Sequence, residues 1–308
     1  MKRANRRVPL PRIAVIGGGP AGSAAALQLR RYGFEPVLFE RSRIGGLALN
    51  ANRIDNYPGF PDGISGLELS GLIGRQLARH SVKIVGDGVV ALDYSRGRFA
   101  LITTRHDRFI FDIVIAASGT GPRRFDKALF HGDHGRIKYE VYPLRHISGK
   151  TVAVIGAGDA AFDYTLSLQK RNKVYILSRK ARAKCLPALW RAVLKNRNIT
   201  YIGGVQIMNV NVNKNHFFIK LRHCSDMIKA DYLVAALGRL PDLTYMKPRL
   251  IALKKQLVRK KLLYIAGDLK NGRYRQIAIA AGDGLRAAMD INNAWMRRRS
   301  RTGSDQCR

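Results

Sequence analysis

Cysteine and acidic residues are scarce in this chain, and long apolar runs are missing. Its 308 residues hold three cysteines, Cys185, Cys224 and Cys307, none close to another in sequence. Neither a CxxC pair nor a Cys/His metal spacing occurs, which argues against a disulfide framework and a structural zinc site. Seven histidines are scattered without pairing. Those at positions 131, 134 and 146 share one stretch of chain, but lone histidines are more often surface residues than catalysts, so none is assigned a role. No stretch reaches the roughly 18 to 20 apolar residues that a membrane-spanning helix needs. The basic start, MKRANRRVPLPR, runs directly into a glycine-rich strand motif without an apolar h-region, so it does not read as a secretory signal. The expectation is a soluble, cytoplasmic protein without a membrane span.

Acid is outnumbered: 55 Lys+Arg face 21 Asp+Glu, for a net charge of +34. Such a field attracts polyanions and acidic proteins and speeds their encounter. Nucleic acid is one partner this charge admits. The cations are spread along the whole chain, however, with denser spots at 2–12, 254–261 and 297–301. A compact patch with interleaved aromatics would be the usual footprint of a nucleic-acid module, so that partner is not favoured. A hydrophobic content of 46% suits an ordinary globular protein, and the length is comfortable for two domains with separate cores.

Two glycine-rich motifs dominate what is present. Residues 12–27 read RIAVIGGGPAGSAAAL. An apolar strand ends in a GxGxxG pattern and opens a helix: Gly17 for the tight turn, Gly19 for close approach of a pyrophosphate, Gly22 for helix–strand packing. Pro20 and Ala21 begin the helix, whose free N–H groups face the phosphates. A second strand, PVLFE, ends in Glu40, about 18 residues after the last glycine and suited to accept ribose hydroxyls. Residues 151–166, TVAVIGAGDAAFDYTL, nearly repeat the pattern with Gly156, Gly158 and Ala161 in the small positions and Asp159 and Ala160 between them. The following strand ends in Ser178 where the first ends in Glu40, and Arg179, Lys180, Arg182 and Lys184 follow. Cations there suit a 2′-phosphate, so the second site reads as one for NADPH rather than NADH. Two dinucleotide folds imply two dinucleotides, a held FAD and an exchangeable nicotinamide.

A third motif, LLYIAGD at 262–268 followed by LKNGRYRQIAIAAGDGLRAAM, resembles the C-terminal FAD motif of thioredoxin reductases. RIGGLALNANRIDNYPGFP at 43–61 is similar to that family's flavin segment, and ALGRLPD at 236–242 to its return crossover. The resemblance covers almost the whole chain, in the family's order. It implies an α/β fold of two Rossmann-like, three-layer ββα domains: an FAD domain at 1–117 plus 245–308, with an NAD(P)H domain at 118–244 inserted. It also implies a homodimer. Carried over residue by residue, the FAD site comprises Gly17, Gly19, Pro20, Ala21, Gly22, Glu40, Arg41, Gly46, Leu47, Asn56, Gly119, Gly267, Asp268, Arg275, Gln276 and Ile277. The NADPH site comprises Gly156, Gly158, Asp159, Ala160, Ala161, Ser178, Arg179, Lys180 and Lys184. Leu47 departs from the family's glutamine.

Thioredoxin reductases carry a CxxC pair just before the second glycine motif. Counting back from Gly156, its cysteines would fall at 139 and 142, where this chain has Tyr139 and Tyr142. Tyrosine cannot perform thiol–disulfide exchange. Reduction of a thioredoxin by dithiol exchange is therefore not expected. The two tyrosines are candidate flavin-facing positions or, alternatively, linker packing. The expected activity is an FAD-dependent NAD(P)H oxidoreductase whose acceptor is an acidic carrier, ferredoxin or flavodoxin. A cysteine-free branch of the same superfamily acts as ferredoxin–NADP reductase, usually with a C-terminal extension whose aromatic covers the flavin. Here the tail is short and reads as disordered, with Trp295 as its only bulky aromatic. Alternatives are reduction of a small organic substrate or oxygen, and a non-catalytic nucleotide sensor.

Overall fold

A computed structural model describes residues 9–131, 137–213, 215–222 and 227–304. His134, Cys224 and Cys307 lie outside the described residues. The chain divides into two compact units. The first holds Met1–Ala48, Glu68–Gly121 and Pro241–Arg308; the second holds Leu49–Leu67 and Pro122–Leu240. Segment 49–67, which the sequence reading placed in the first domain, groups with the second unit. The two chain crossings are short strands, Thr120–Pro122 and Arg239–Pro241, which pair with one another.

In the first unit, strand β1 (Ile13–Ile16) is buried along its whole length. It is flanked in parallel by β2 (Val37–Phe39) on one side and by Ile113–Ala116 on the other. Strands Lys83–Val85 and Leu263–Ile265 complete a five-stranded parallel sheet. Because side chains alternate along a strand, the continuous apolar runs divide between two faces. Ile13, Val15, Ile113 and Ile115 enter the core beneath helix α1 (Pro20–Arg31). Ala14, Ile16, Val114 and Ala116 enter the opposite core with Phe99, Leu101 and Phe111. Those aromatics and aliphatics come from a three-stranded antiparallel sheet, Val89–Ser95, Arg98–Thr103 and Arg108–Phe111. The result is the three-layer ββα arrangement.

A 28-residue helix, Ile277–Ser304, packs beside α1. Its buried face, Ala280, Ala287, Ala288 and Ile291, recurs at helical spacing and reaches Trp295. Small residues let the two backbones approach: a Cβ added at Gly284 would lie 1.9 Å from the Ala21 carbonyl oxygen. This corrects the expectation of a disordered tail, since 297–304 continues the helix. Arginine is a good helix former, and cations in the last turns complement the helix dipole. Trp295 lies edge-on to Phe34 at 6.5 Å and belongs to this core.

The second unit repeats the plan. Its parallel sheet runs in the order Ile137–Lys138, Tyr232–Ala235, Thr151–Ile155, Lys173–Leu177, Ile199–Ile202. Helices Asp159–Leu168 and Pro187–Leu194 pack on one face through Phe162, Leu168 and Val193. A four-stranded sheet containing Ile207–Asn213 and His216–Leu221 covers the other through Val210, Phe217 and Ile219. Each unit therefore presents a strand–turn–helix with its glycine motif at the carboxyl end of a central parallel strand, where ligands bind in open α/β sheets.

Candidate functional site

The first glycine motif turns between β1 and α1. Gly17 has φ +102, and a Cβ there would lie 2.4 Å from the Ala117 carbonyl oxygen, so only glycine serves. At Gly22 a Cβ would lie 1.8 Å from the Gly17 oxygen, whereas at Gly19 it would meet nothing within 4 Å. That open space over the helix N-terminus, beginning at Pro20 and Ala21, has room for a diphosphate. Glu40, just past β2, is held on both carboxylate oxygens: Gly18 N–H donates to Oε2 at 2.7 Å and Ser42 N–H to Oε1 at 2.8 Å. Each oxygen retains a further acceptor position for a ribose hydroxyl. This set of donors and open space fits the adenosine half of FAD.

The other first-unit candidates gather around that turn or flank it. Gly46 opens the short helical turn Gly46–Asn50 that carries Leu47, and its Cβ position lies 3.2 Å from the Gly19 Cα. Arg41 is paired with Asp242 at 3.5 Å, and the Gly119 carbonyl accepts the Asp242 N–H. Gly267 and Asp268 form the turn Gly267–Leu269, where a Cβ at Gly267 would meet the Ala21 Cβ at 2.8 Å. Arg275, Gln276 and Ile277 lead into the long helix. Asp283 fixes this turn by accepting from Gly267 N–H at 3.2 Å and Asn271 Nδ2 at 2.7 Å, with Lys270 at 2.8 Å. Burial acts to raise its pKa, but Lys270 and Asn271 together bring it below the usual carboxylate range. Asn56 is exposed and belongs to segment 49–67 of the second unit.

The second motif opens onto a cleft of about 770 Å³ within the second unit. Gly156 has φ +134, and its Cβ position lies 2.5 Å from the Ala236 carbonyl oxygen, while that of Gly158 is open, as at Gly17 and Gly19. Gly156, Gly158, Ser178, Arg179, Lys180 and Lys184 line the cleft. Ala161 is buried beneath the turn, and Ala160 is exposed at the start of the helix. Ser178 is buried, and its Oγ accepts the Lys180 N–H at 3.1 Å, which shapes the turn that bears the cations. Asp159 has a supporting part: its Oδ1 accepts the Leu186 N–H at 2.8 Å. Lys184 N–H donates to the Ala157 oxygen at 3.0 Å, so the cationic loop is tied to the glycine turn. Arg179, Lys180 and Lys184 beside an open diphosphate turn fit a 2′-phosphorylated dinucleotide. Sequence reasoning missed Arg123, Arg124, Gln206 and Leu237, which also line the cleft. Arg123, Arg124 and Gln206 arrive from distant segments with no motif of their own, and Leu237 belongs to the 236–242 crossover, which gave no cleft assignment.

Around Tyr139 and Tyr142 the second unit carries polar links. Tyr139 packs at the edge of the core, its hydroxyl accepting the Phe125 N–H at 3.2 Å. Tyr142 N–H donates to Oδ1 of buried Asn50 at 2.9 Å, and the Arg145 guanidinium lies over the Tyr142 ring at 4.2 Å. Glu140 accepts from Arg239 at 3.1 Å. Burial pushes the Tyr164 hydroxyl up to about 12, so it stays neutral; the nearby Arg239 opposes the rise and Glu140 adds to it. Asp163 accepts the Asn52 N–H at 2.8 Å and anchors segment 49–67 on the helix.

Two dinucleotide frames in one chain, one ending in an acid and the other in cations, define a flavin-dependent pyridine nucleotide oxidoreductase. A match to the pyridine nucleotide-disulphide oxidoreductase family spans residues 11–284, and the chain belongs to that family. Thioredoxin reductase of Pneumocystis carinii is 27% identical over 317 residues, covering 90% of this chain and 94% of that protein. The crystal structure of Lactococcus lactis thioredoxin reductase has a TM-score of 0.76 at 21% identity, covering 92% of this chain and 98% of its own. That of T. acidophilum thioredoxin reductase has a TM-score of 0.74 at 25% identity, covering 93% and 99%. The chain is thus a thioredoxin reductase-like FAD-dependent NAD(P)H oxidoreductase, of a family that uses FAD and NADPH.

Proposed function

We propose that the protein carries electrons from NADPH to an acidic electron-carrier protein, of ferredoxin or flavodoxin type, rather than to a disulfide. The observation that carries this reading is the pair Tyr139 and Tyr142 at the positions of the family's dithiol. Cys185 cannot replace it, because dithiol exchange needs a second thiol and no other cysteine lies near it in sequence; burial and then Asp159 also push its thiol pKa up.

When bound, FAD accepts a hydride and can release electrons singly. This chain's residues bind and orient. The turn at Gly17, Gly19 and Gly22 holds the flavin's diphosphate, Glu40 its ribose, and the Gly267–Asp268 turn its ribityl end. The turn at Gly156 and Gly158 holds the nicotinamide dinucleotide's diphosphate, and Arg179, Lys180 and Lys184 hold the 2′-phosphate. The net charge of +34 supplies the steering field for an acidic carrier. We further propose a homodimer in which the exposed stripe Leu285, Met289 and Met296 meets a second copy; a monomer by sedimentation at micromolar concentration would refute it.

The test is an anaerobic absorption titration of the flavin-loaded protein. NADPH is expected to bleach the flavin bands at lower concentration than NADH, and an acidic carrier to restore them faster than thioredoxin does. Restoration by thioredoxin alone overturns the acceptor reading, and restoration only by oxygen makes the protein an oxidase.

A further inference from the structure

The tyrosine at the first dithiol position, Tyr139, touches two residues that line the nucleotide cleft, Arg124 and Phe125. It follows strand Ile137–Lys138, which pairs in parallel with Tyr232–Ala235. The strand ladder therefore fixes the backbone up to its neighbour Lys138. Its hydroxyl accepts the Phe125 N–H at 3.2 Å, and the guanidinium carbon of Arg124 lies 5.0 Å from its ring centroid. Arg124 and Phe125 both line the cleft that also presents Arg179, Lys180 and Lys184. Among the lining residues Asp126 is the sole acid, and its Oδ1 accepts the Ala128 N–H. A cysteine at position 139 would have neither an aromatic face for a guanidinium nor the length of tyrosine's para-hydroxyl. Arg124 is exposed, so without the ring its side chain would sample many rotamers and lose entropy on meeting an anion.

Resting on the reading of this cleft as the NADPH site, we propose that Tyr139 is a positioning residue for nucleotide binding: it holds Arg124 on the cleft wall as an additional cation for the phosphates of NADPH. On this account the residue that replaces the family's cysteine serves donor recognition. The contact is local to the second unit.

The experiment is calorimetric titration of the full-length, flavin-loaded protein with 2′,5′-ADP and, separately, 5′-ADP. Wild type, Arg124→Gln, Tyr139→Leu, Tyr139→Phe and the Arg124→Gln/Tyr139→Leu double variant are compared. Arg124→Gln is expected to weaken 2′,5′-ADP about five- to tenfold, as loss of one charge-assisted contact does. Tyr139→Leu should weaken it about two- to fivefold, the range of an exposed cation–π contact, while Tyr139→Phe, which keeps the ring, stays within about twofold of wild type. The double variant should match Arg124→Gln alone, because the ring acts through the guanidinium. Both Arg124→Gln and Tyr139→Leu should flatten the salt dependence of binding, which a purely structural defect would leave unchanged.

Neutral Tyr139→Leu, or additivity with Arg124→Gln, overturns the inference while leaving the NADPH site standing. Failure of wild type to bind 2′,5′-ADP overturns both. Should Tyr139→Leu fail to fold, the Arg124 Nε–H resonance of wild type gives the answer. It should show an aromatic ring-current shift and move on addition of 2′,5′-ADP, and its absence from the shifted region or indifference to ligand sinks the proposal.

Discussion

Glu40 holds a backbone turn and, on the proposed reading, would also hold a ribose. Its two oxygens already hold the N–H groups of Gly18 and Ser42. Glu40→Ala therefore removes the ribose acceptor and leaves two backbone donors unmatched. Flavin affinity should fall by about 2 kcal/mol, roughly thirtyfold, with Glu40→Gln intermediate; full flavin occupancy of the alanine variant in dilute dialysis would contradict the placement. Asp163 makes a different prediction. Burial raises its pKa from the ordinary 3.8 to about 6, although Asn52 and Arg53 backbone N–H groups oppose the shift. The folded state thus binds a proton more tightly than the unfolded chain. The stabilising protonated form is fully present below the unfolded value, and the advantage is lost as pH rises through the folded one. Wild-type stability relative to Asp163→Asn should fall between about pH 4 and pH 6 and then level off. Paired denaturant midpoints across that range would show it, and a constant difference would disprove it. Glu40 was legible in the sequence because an acid closing a strand after GxGxxG has a fixed neighbour. Asp163 was not, because its partner at Asn52 is distant in sequence and the bond goes to backbone, which no residue type announces.

Both strand–turn–helix elements were readable because each small residue answers a close approach. The Cβ positions of Gly17 and Gly156 are filled by carbonyls from a neighbouring strand's end, and those of Gly19 and Gly158 are open. The long C-terminal helix was misread at 297–304 because a charged run without apolar residues lacks the periodicity that marks a helix, although its turns propagate from a packed stem. That stem depends on close contact with α1. Gly284→Ala places a methyl carbon 1.9 Å from the Ala21 oxygen, so the helices must separate. A loss of about 2–3 kcal/mol is expected, and an unchanged guanidinium midpoint would show that the contact is dispensable.

On the proposed acceptor reading, the excess of cations across the whole molecule acts on rates more than on the fold. Long-range steering weakens as the Debye length shrinks from about 10 Å at 0.1 M salt to about 3 Å at 1 M. The second-order rate constant for reoxidation by an acidic carrier should fall by at least about tenfold over that range. The rate of flavin bleaching at saturating NADPH should change little. Equal insensitivity of both steps would mean that the positive surface does not guide the acceptor. Bulk composition displayed this field at once but could not name its target, since charge selects a sign and not a protein. The family fold was legible for the opposite reason: three separate motifs had to occur in order, which chance rarely supplies.

The hydrogen bond from Lys184 to Ala157 ties the loop bearing the cations to the glycine turn. For a ligand with phosphate at both places, the second capture is then an intramolecular event at a high effective concentration. A dinucleotide held at both places would behave as its own chelator: severing it into two monophosphates would forfeit far more affinity than the sum of the lost contacts.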